Sequence, residues 1–200
     1  MSKRLVLASG NQGKVKELAQ MLADFDYEVL SQTELGIESV PETALTFVEN
    51  ALLKARHACE RTGLPSISDD SGLVVPYLNG EPGVHSARFA GEHGNDKKNI
   101  QLLLHELIDV SSEDRKAYFV SVCVFMRTAN DPSPIVTQGV WHGSILFDPI
   151  GEYGFGYDPV FYVPTHHCSS AQLDPDIKNQ ISHRGLAMMQ LRQELAQCLR

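Results

Sequence analysis

Residues 4–22 decide the fold class, because they predict a strand, a loop and a helix in direct succession: Arg4-Leu5-Val6-Leu7-Ala8, then Ser9-Gly10-Asn11-Gln12-Gly13-Lys14, then Val15 to Leu22. The first segment is short and mostly apolar, which is typical of a buried strand. Apolar residues recur at helical spacing after the loop, which predicts a helix over residues 13–23. A strand that passes through a short loop into a helix indicates an α/β protein.

The loop between this strand and helix has two interpretations. The N–H groups at the start of a helix attract anions, so Ser9, Gly10, Asn11, Gln12, Gly13 and Lys14 are candidates for phosphate binding. The glycine spacing is too short for a Walker A loop, and Val15 stands where a Ser or Thr would bind magnesium. The alternative is a tight turn followed by a surface lysine.

Later segments extend the α/β pattern. Apolar spacing and turn residues predict strands over residues 27–31, 66–68, 117–126, 135–146 and 159–163, and helices over residues 46–61, 96–108 and from 182 onward. The segment from Ala117 to Met126 is apolar on both faces, as in a central strand covered on both sides. We therefore expect a single domain over residues 1–200, with an elongated mixed β-sheet flanked by helices and two lobes around a central substrate cleft.

Composition and charge exclude several classes of protein. Apolar residues make up 42% of the chain and charged residues 21%, which is ordinary for a globular protein. The net charge of −8 disfavours a partner that is a nucleic acid polymer. No apolar run reaches about 18 residues, so we expect no membrane association. The N-terminal apolar run is too short for a secretory signal, and the four cysteines show no metal-binding spacing, so we expect a cytoplasmic protein.

Two adjacent carboxylates follow the short strand predicted over residues 66–68. Neighbouring strand residues point to opposite faces, so Asp69 and Asp70 can bind one ion only if the chain turns there, and Ser71-Gly72 favours such a turn. Carboxylate oxygens suit Mg²⁺, which also takes water and phosphate ligands. Glu42, just ahead of a helix, is a possible third carboxylate. A solvated turn is the alternative interpretation.

A third cluster of motifs combines an aromatic ring, glycines and cations. It consists of Phe155-Gly156-Tyr157-Asp158-Pro159, Lys178 and Ser182-His183-Arg184. A ring can stack on a base, glycines let the backbone approach it, and cations meet phosphate. Ser182 is a good N-cap for the last helix, so His183 and Arg184 could also be first-turn surface residues. Trp141 and the aromatic residues of 118–125 are predicted to lie in the core.

Six motifs in this order make the chain resemble the inosine/xanthosine triphosphate pyrophosphatase family: Ser9-Gly10-Asn11-x-x-Lys14, Thr46-Phe47-x-Glu49-Asn50-Ala51-x-x-Lys54-Ala55, Asp69-Asp70-Ser71-Gly72-Leu73, Ser86-Ala87-Arg88, Gly154-Phe155-Gly156-Tyr157-Asp158-Pro159 and Ser182-His183-Arg184. The resemblance covers essentially the whole chain. It departs from the family pattern at Ser9, where many members have Thr, and the hydroxyl is kept.

The resemblance implies a homodimer that hydrolyses nonstandard purine nucleoside triphosphates, ITP, dITP and XTP, to monophosphate and pyrophosphate with Mg²⁺. It implies that residues 9–14 hold the phosphates and that Asp70 is the base or a metal ligand, with Glu42 and Asp69 sharing the metal. Lys14 and Asp69 join Asp70 as candidate catalytic residues. Further residues would line the nucleotide site: Ser71, Phe155, Gly156, Tyr157, Asp158, Lys178, His183 and Arg184.

Two other functions stay open at this point. One is a metal-dependent phosphohydrolase that releases orthophosphate or acts on modified pyrimidines. The other is a nucleotide-binding sensor without catalysis, which the complete set of lysines, aspartates, histidine and arginine disfavours.

Overall fold

The structure is a computed structural model that describes residues 3–9, 12–25 and 27–198, with only the backbone for residues 12, 13, 16, 17, 21 and 24. The order of its elements is β1 (Lys3–Leu7), α1 (Gln12–Met21), β2 (Tyr27–Ser31), α2 (Phe47–Thr62), β3 (Ser66–Val74), α3 (Asp96–Glu106), β4 (Lys116–Met126), β5 (Ile135–Ile145), β6 (Phe161–Val163), β7 (Cys168–Ser169), α4 (Pro175–Ile181) and α5 (His183–Cys198).

Within the described part of the chain, the strands form one seven-stranded sheet in the order β2-β1-β3-β4-β5-β6-β7. β1 runs parallel to β2 and to β3, whereas β6 runs antiparallel to β5 and to β7. The sheet is therefore mixed, and the predicted α/β fold with flanking helices is confirmed. The elongated outline and the central cleft stay predictions.

Two compact units make up the chain. The first comprises Met1–Asp70, Ser121–Gln138 and Ala187–Arg200, and the second comprises Ser71–Val120 and Gly139–Leu186. The expectation of a single domain over residues 1–200 stays a prediction.

The core of the first unit lies between α1, α5 and one face of the sheet. Leu18 of α1, Leu22 just after it and Leu191 of α5 are fully buried there, against Leu5 of β1 and Phe125 of β4. These helix positions repeat at the spacing of one helical face, so the amphipathic pattern of the sequence specifies the packing. Three residues of α2 are fully buried, namely Ala51, Ala55 and Ala58. Their small side chains allow the backbone of α2 to approach β3 closely.

The second unit has an aromatic core. Phe119 of β4, Trp141 of β5 and Phe161 of β6 are buried, with ring centroids 4.6 Å apart for Phe119 and Phe161 and 5.1 Å apart for Trp141 and Phe161. Leu103 and Leu107, in and just after α3, are fully buried in the same cluster. The prediction that Trp141 and the aromatic residues of β4 belong to the core is confirmed for Trp141, Phe119 and Phe125.

The structure corrects one prediction about the elements and adds two elements that were not predicted. No turn follows Asp70, because β3 continues through Ser71 and Gly72 to Val74. The α4 helix was missed, although Asp174 is its N-cap and Pro175 its first residue, the usual signals of a helix start. The two-residue strand β7 was also missed, since two residues are too short to show a period. No helix in the described ranges is long and apolar enough to cross a membrane.

Candidate active site

The alternation of side chains along β3 aims one acidic residue at α2. Ser68 donates a hydrogen bond from Oγ to the carbonyl oxygen of Ala51 at 2.6 Å, so this face of the strand packs on α2. Two residues on, Asp70 points the same way, and its Oδ1 accepts from Lys54 Nζ at 2.8 Å. The same ammonium donates to Glu42 Oε1 at 2.9 Å. Lys54 therefore bridges two of the predicted metal ligands.

The other face of β3 carries Asp69 toward the first helix. Ile67, two residues before it, is buried in the core that α1 and α5 share. Asp69 accepts from Lys14 Nζ through both oxygens, at 2.8 Å for Oδ1 and 2.6 Å for Oδ2. The two adjacent aspartates are thus paired with different lysines, because β3 stays extended where the sequence had indicated a turn.

Asp70 has one oxygen that is not used by either lysine. Lys54 contacts the carboxylates of Glu42 and Asp70, and Lys14 contacts that of Asp69. Among the described residues, Asp70 Oδ2 is buried without a hydrogen-bond partner. Burial raises the pKa of the Asp70 carboxyl, although Lys54 acts to lower it. Asp70 Oδ2 can therefore accept a cation or a proton.

Lys54 is held in its charged form by the same neighbours. Burial acts to lower the pKa of its ammonium, but Asp70, Asp69 and Glu42 together raise that pKa above its usual value. Lys54 belongs to the second family motif, and its inward direction was not predicted from the sequence. Its place on the buried stripe of α2, between Ala51 and Ala55, was the signal that it is directed inward.

The described residues contain no group of three His, Cys, Asp or Glu side chains arranged to hold a metal ion. Glu42 and Asp70 share one ammonium, whereas Asp69 is directed to Lys14. The structure therefore offers two carboxylates at one place, those of Glu42 and Asp70. One oxygen of Asp70, Oδ2, is buried and has no donor among the described residues. This donor set fits Mg²⁺, which proteins commonly bind through one or two carboxylates together with water and substrate phosphates.

The structure describes only part of the predicted phosphate-binding segment, residues 9–14. Gly10 and Asn11 lie outside the described residues, and Gln12 and Gly13 are described by their backbone alone, at the start of α1. Ser9 follows β1, and its N–H donates to the carbonyl of Leu7. The Lys14 side chain, near the start of α1, contacts Asp69.

In the second unit, Asp158 organises the aromatic and glycine motif. Its side chain is buried, and Oδ2 accepts from the Phe155 N–H at 2.8 Å and from Lys178 Nζ at 2.5 Å. The other oxygen accepts from Ser170 Oγ at 2.8 Å. Both oxygens are thus occupied by groups of the protein, so Asp158 holds the loop and Lys178 in place and is itself shielded from solvent.

Phe155 is the exposed member of the motif, with 62% of its surface accessible. Lys178 Nζ lies 5.3 Å from its ring centroid, and the guanidinium carbon of Arg184 lies 5.4 Å from it. An exposed ring beside two cations suits a ligand that combines a flat base with negative charge. Lys178 comes from α4 and Arg184 from the first turn of α5.

His183 is buried, in contrast to the first-turn surface position that its sequence context allowed. Its ring stacks on Phe119, with centroids 4.7 Å apart and planes inclined by 12°, and Trp141 lies 6.3 Å away. The start of α5 is fixed by Ser182, whose Oγ accepts from the Gly185 N–H at 3.2 Å. The predicted N-cap is therefore confirmed, and the cap sets the position of both His183 and Arg184.

Tyr157 and Gly156 tie the loop to other segments of the second unit. The buried Tyr157 hydroxyl donates to the Ser86 carbonyl at 2.9 Å, and the Gly156 N–H donates to Asp96 Oδ2 at 2.7 Å. Burial raises the pKa of the Tyr157 hydroxyl and the charge of Asp96 raises it further, so the hydroxyl stays protonated. Tyr157 is predicted to line the nucleotide site, and in the structure its hydroxyl anchors the loop.

A mixed α/β sheet, lysines paired with carboxylates, and an exposed ring beside two cations are together features of a nucleotide hydrolase. The chain belongs to the Ham1 family, whose sequence profile matches residues 5–194. This confirms the resemblance stated from the motifs, over almost the full length of the chain.

Similar proteins agree in length and fold. The chain is 54% identical to a dITP/XTP pyrophosphatase of Vibrio cholerae over 189 residues, which is 94% of each chain. It is 55% identical to a dITP/XTP pyrophosphatase of Haemophilus influenzae over 195 residues, covering 98% of this chain and 100% of the other. A HAM1 protein from Coxiella burnetii, with 47% identity, superposes with a TM-score of 0.93, covering 98% of this chain and 99% of that one.

Proposed function

We propose that this chain hydrolyses nonstandard purine nucleoside triphosphates, namely ITP, dITP, XTP and dXTP, to the monophosphate and pyrophosphate. Removing these nucleotides before a polymerase uses them would keep them out of DNA and RNA. The observation that carries the proposal is the group of Glu42, Lys54 and Asp70, in which a buried carboxylate oxygen has no donor among the described residues. The names of the Vibrio cholerae and Haemophilus influenzae relatives support the choice of substrate.

Glu42 and Asp70 are the residues that would hold Mg²⁺, with Asp69 close enough to add to the negative potential. The two carboxylates, with the Asp70 Oδ2 oxygen buried and without a donor among the described residues, favour a cation. When bound, Mg²⁺ supplies positive charge to substrate phosphates and lowers the pKa of coordinated water. The Lys54 ammonium contacts both carboxylates, so a bound cation would compete with it for Glu42 and Asp70.

The lysines provide the positive charge that phosphoryl transfer requires. Cleavage between the α- and β-phosphates leaves pyrophosphate, whose negative charge must be stabilised as the bond breaks. Lys14 stands in the first turn of α1, where backbone N–H groups also favour anions. Asp69 holds the Lys14 ammonium with both oxygens, which fixes its position before a phosphate arrives.

Asp70 is the proposed acceptor of the proton from the attacking water. Its Oδ1 accepts from Lys54, while Oδ2 is buried and has no donor among the described residues, so Oδ2 is the oxygen available for a proton. Burial raises the pKa of this carboxyl in the metal-free group, whereas a cation held by Asp70 would lower it. Direct proton abstraction by Asp70 and attack by an already deprotonated water are both compatible with this arrangement.

The second unit carries the groups that would recognise the base. The exposed Phe155 ring offers a stacking surface, and Arg184 and His183 offer N–H donors. Hypoxanthine and xanthine present an acceptor at position 6, whereas adenine presents an amino donor. Donors placed at this edge would favour the oxo bases and would be left unpaired against adenine, which can cost a factor of about 10³ or more in kcat/KM.

Product analysis of the purified protein tests the proposal. We expect dITP and XTP to yield monophosphate and pyrophosphate with Mg²⁺, with little product from ATP or GTP and none in EDTA. Release of orthophosphate, or equal rates on all four nucleotides, would contradict the proposed substrate and cleavage site. Binding of dITP without turnover under any of these conditions would favour a nucleotide sensor. Sedimentation of the same sample tests the expected homodimer.

A further inference from the structure

The loop that presents Phe155 is pinned on both sides of that residue. The Phe155 N–H donates to Asp158 Oδ2 at 2.8 Å, and the next N–H, of Gly156, donates to Asp96 Oδ2 at 2.7 Å. These two N–H groups belong to the two peptide planes that flank the Phe155 Cα. Fixing both planes sets the direction of the Cα–Cβ bond, so two carboxylates decide the direction in which the Phe155 side chain leaves the backbone.

The two carboxylates differ in origin. Asp158 lies in the loop itself and is the same group that holds Lys178. Asp96 is 60 residues away in sequence and is the first residue of α3. Gly156 has a left-handed backbone with φ of +58°, and a Cβ there would meet nothing within 4 Å. Its glycine is therefore required by the conformation of the chain, in which the N–H is directed at Asp96.

The first turns of α3 also hold a second loop. The buried Asn99 side chain accepts from the Ala90 N–H at 2.8 Å and donates to the Ala87 carbonyl at 3.4 Å. That loop is joined to the first one, because the Tyr157 hydroxyl donates to the Ser86 carbonyl. Both loops are thus hydrogen-bonded to the N-terminal part of α3.

The geometry points to Asp96 as a positioning residue that fixes the Phe155 ring for the nucleotide base, through the Gly156 N–H. This inference rests on the proposed function, since it assigns Asp96 to the base-binding group. Asp96 does not touch the base in this role. Its acceptor oxygen keeps the backbone that carries the ring in one conformation before binding, so that less conformational freedom is lost when the base stacks.

The experiment compares Asp96→Ala and Asp96→Asn with the wild type. We expect Asp96→Ala to raise the KM for dITP by about tenfold while kcat changes by less than about threefold, because a charge-assisted hydrogen bond outside the reacting atoms is lost. The Asn side chain keeps an oxygen acceptor, so Asp96→Asn should raise KM by about threefold at most. Glu106→Ala, which removes an exposed acid at the other end of α3, is the matched control and should leave both constants unchanged.

Amide exchange, measured by NMR, reads the contact without any catalysis. In Asp96→Ala we expect the Gly156 N–H to exchange at least about tenfold faster, with a smaller change at the Phe155 N–H, which Asp158 still holds. Unchanged exchange at Gly156, or an unchanged KM in Asp96→Ala, would overturn the inference. If the wild type fails to hydrolyse dITP, the proposed function fails, and the exchange rates still decide whether Asp96 pins the loop. Should Asp96→Ala not fold, Asp96→Leu takes its place, and a wild-type KM with a wild-type exchange rate at Gly156 in that variant would overturn the inference.

Discussion

Asp69 and Asp70 are neighbours in β3, yet each pairs with a different lysine: Asp69 with Lys14 and Asp70 with Lys54. An extended strand directs adjacent side chains to opposite faces, and here α1 stands on one side and α2 on the other. The consequence is a division of roles. Asp69 holds a lysine that belongs to the predicted phosphate loop, and Asp70 keeps one oxygen available.

Replacement of Asp70 by Asn should abolish turnover and leave the fold intact. The amide keeps the shape of the carboxylate but loses its charge and its capacity to accept a proton, so we expect kcat for dITP to fall by about 10³-fold. The thermal midpoint should not decrease, because an ionised carboxylate with a raised pKa is costly to bury. Asp109→Asn, at an exposed position, serves as the control. Near-normal pyrophosphate release by Asp70→Asn would remove Asp70 from the mechanism.

Replacement of Lys54 by Met should destabilise the protein in a pH-dependent way. Two carboxylates would lose their shared ammonium, which we expect to cost about 3 kcal/mol of unfolding free energy at pH 8. The loss should be smaller at pH 5 than at pH 8, because the pKa of the Asp70 carboxyl is raised and loss of the Lys54 charge raises it further, so a lower pH favours its neutral form. Urea unfolding at both pH values measures this difference.

The control for that variant is Lys98→Met, which removes an ammonium paired with Glu92 at an exposed site. Exposed pairs contribute little to stability, so its unfolding curve should match that of the wild type. Equal effects of the two substitutions, or a loss at Lys54 that does not depend on pH, would contradict the description of Lys54 as a buried bridge.

Gly154 and Gly156 form a matched pair for a packing test. Both have left-handed φ, +82° and +58°, so Ala at either position carries the backbone cost of about 1 kcal/mol. A Cβ at Gly154 would also collide with the Asp158 carboxylate and approach Lys178 Nζ to 3.0 Å, whereas a Cβ at Gly156 would meet open space. We therefore expect Gly154→Ala to lower the unfolding free energy by at least about 1 kcal/mol more than Gly156→Ala does. Equal losses of unfolding free energy in the two variants would show that the loop shifts to accommodate the added Cβ at little cost.

Two variants of His183 separate stacking from base selection. His183→Ala should relax the preference for dITP over dATP and also lower stability, because the ring packs between aromatic side chains. His183→Phe keeps an aromatic ring on Phe119 but removes the N–H donors. We expect it to fold normally while the ratio of kcat/KM values for dITP and dATP falls by about tenfold or more. An unchanged ratio in both variants would place base selection on other residues.

Local patterns in the sequence predicted most elements, since helix periodicity and capping are properties of short segments. The capping side chain of Thr46 accepts from the Glu49 N–H, as their spacing indicated, and α2 begins at the next residue. The α4 helix was missed because its seven residues are too few for a clear period, although it carries Lys178. The family motifs supplied the rest, and they identified the family without any knowledge of side-chain pairing.

The sequence by itself determined the fold class, the family and the residue types of the candidate site. The tertiary structure decided which charges meet, because Lys14 and Asp69 are 55 residues apart and Lys54 and Asp70 are 16 apart. It also decided that Asp158 and Tyr157 support a loop while Phe155 is exposed, since burial is a property of the packed chain. The lysine–aspartate pairs depend on the continuation of β3 beyond Asp70, and the support of the Phe155 loop depends on its hydrogen bond to α3. Neither feature produces a periodic pattern in the sequence.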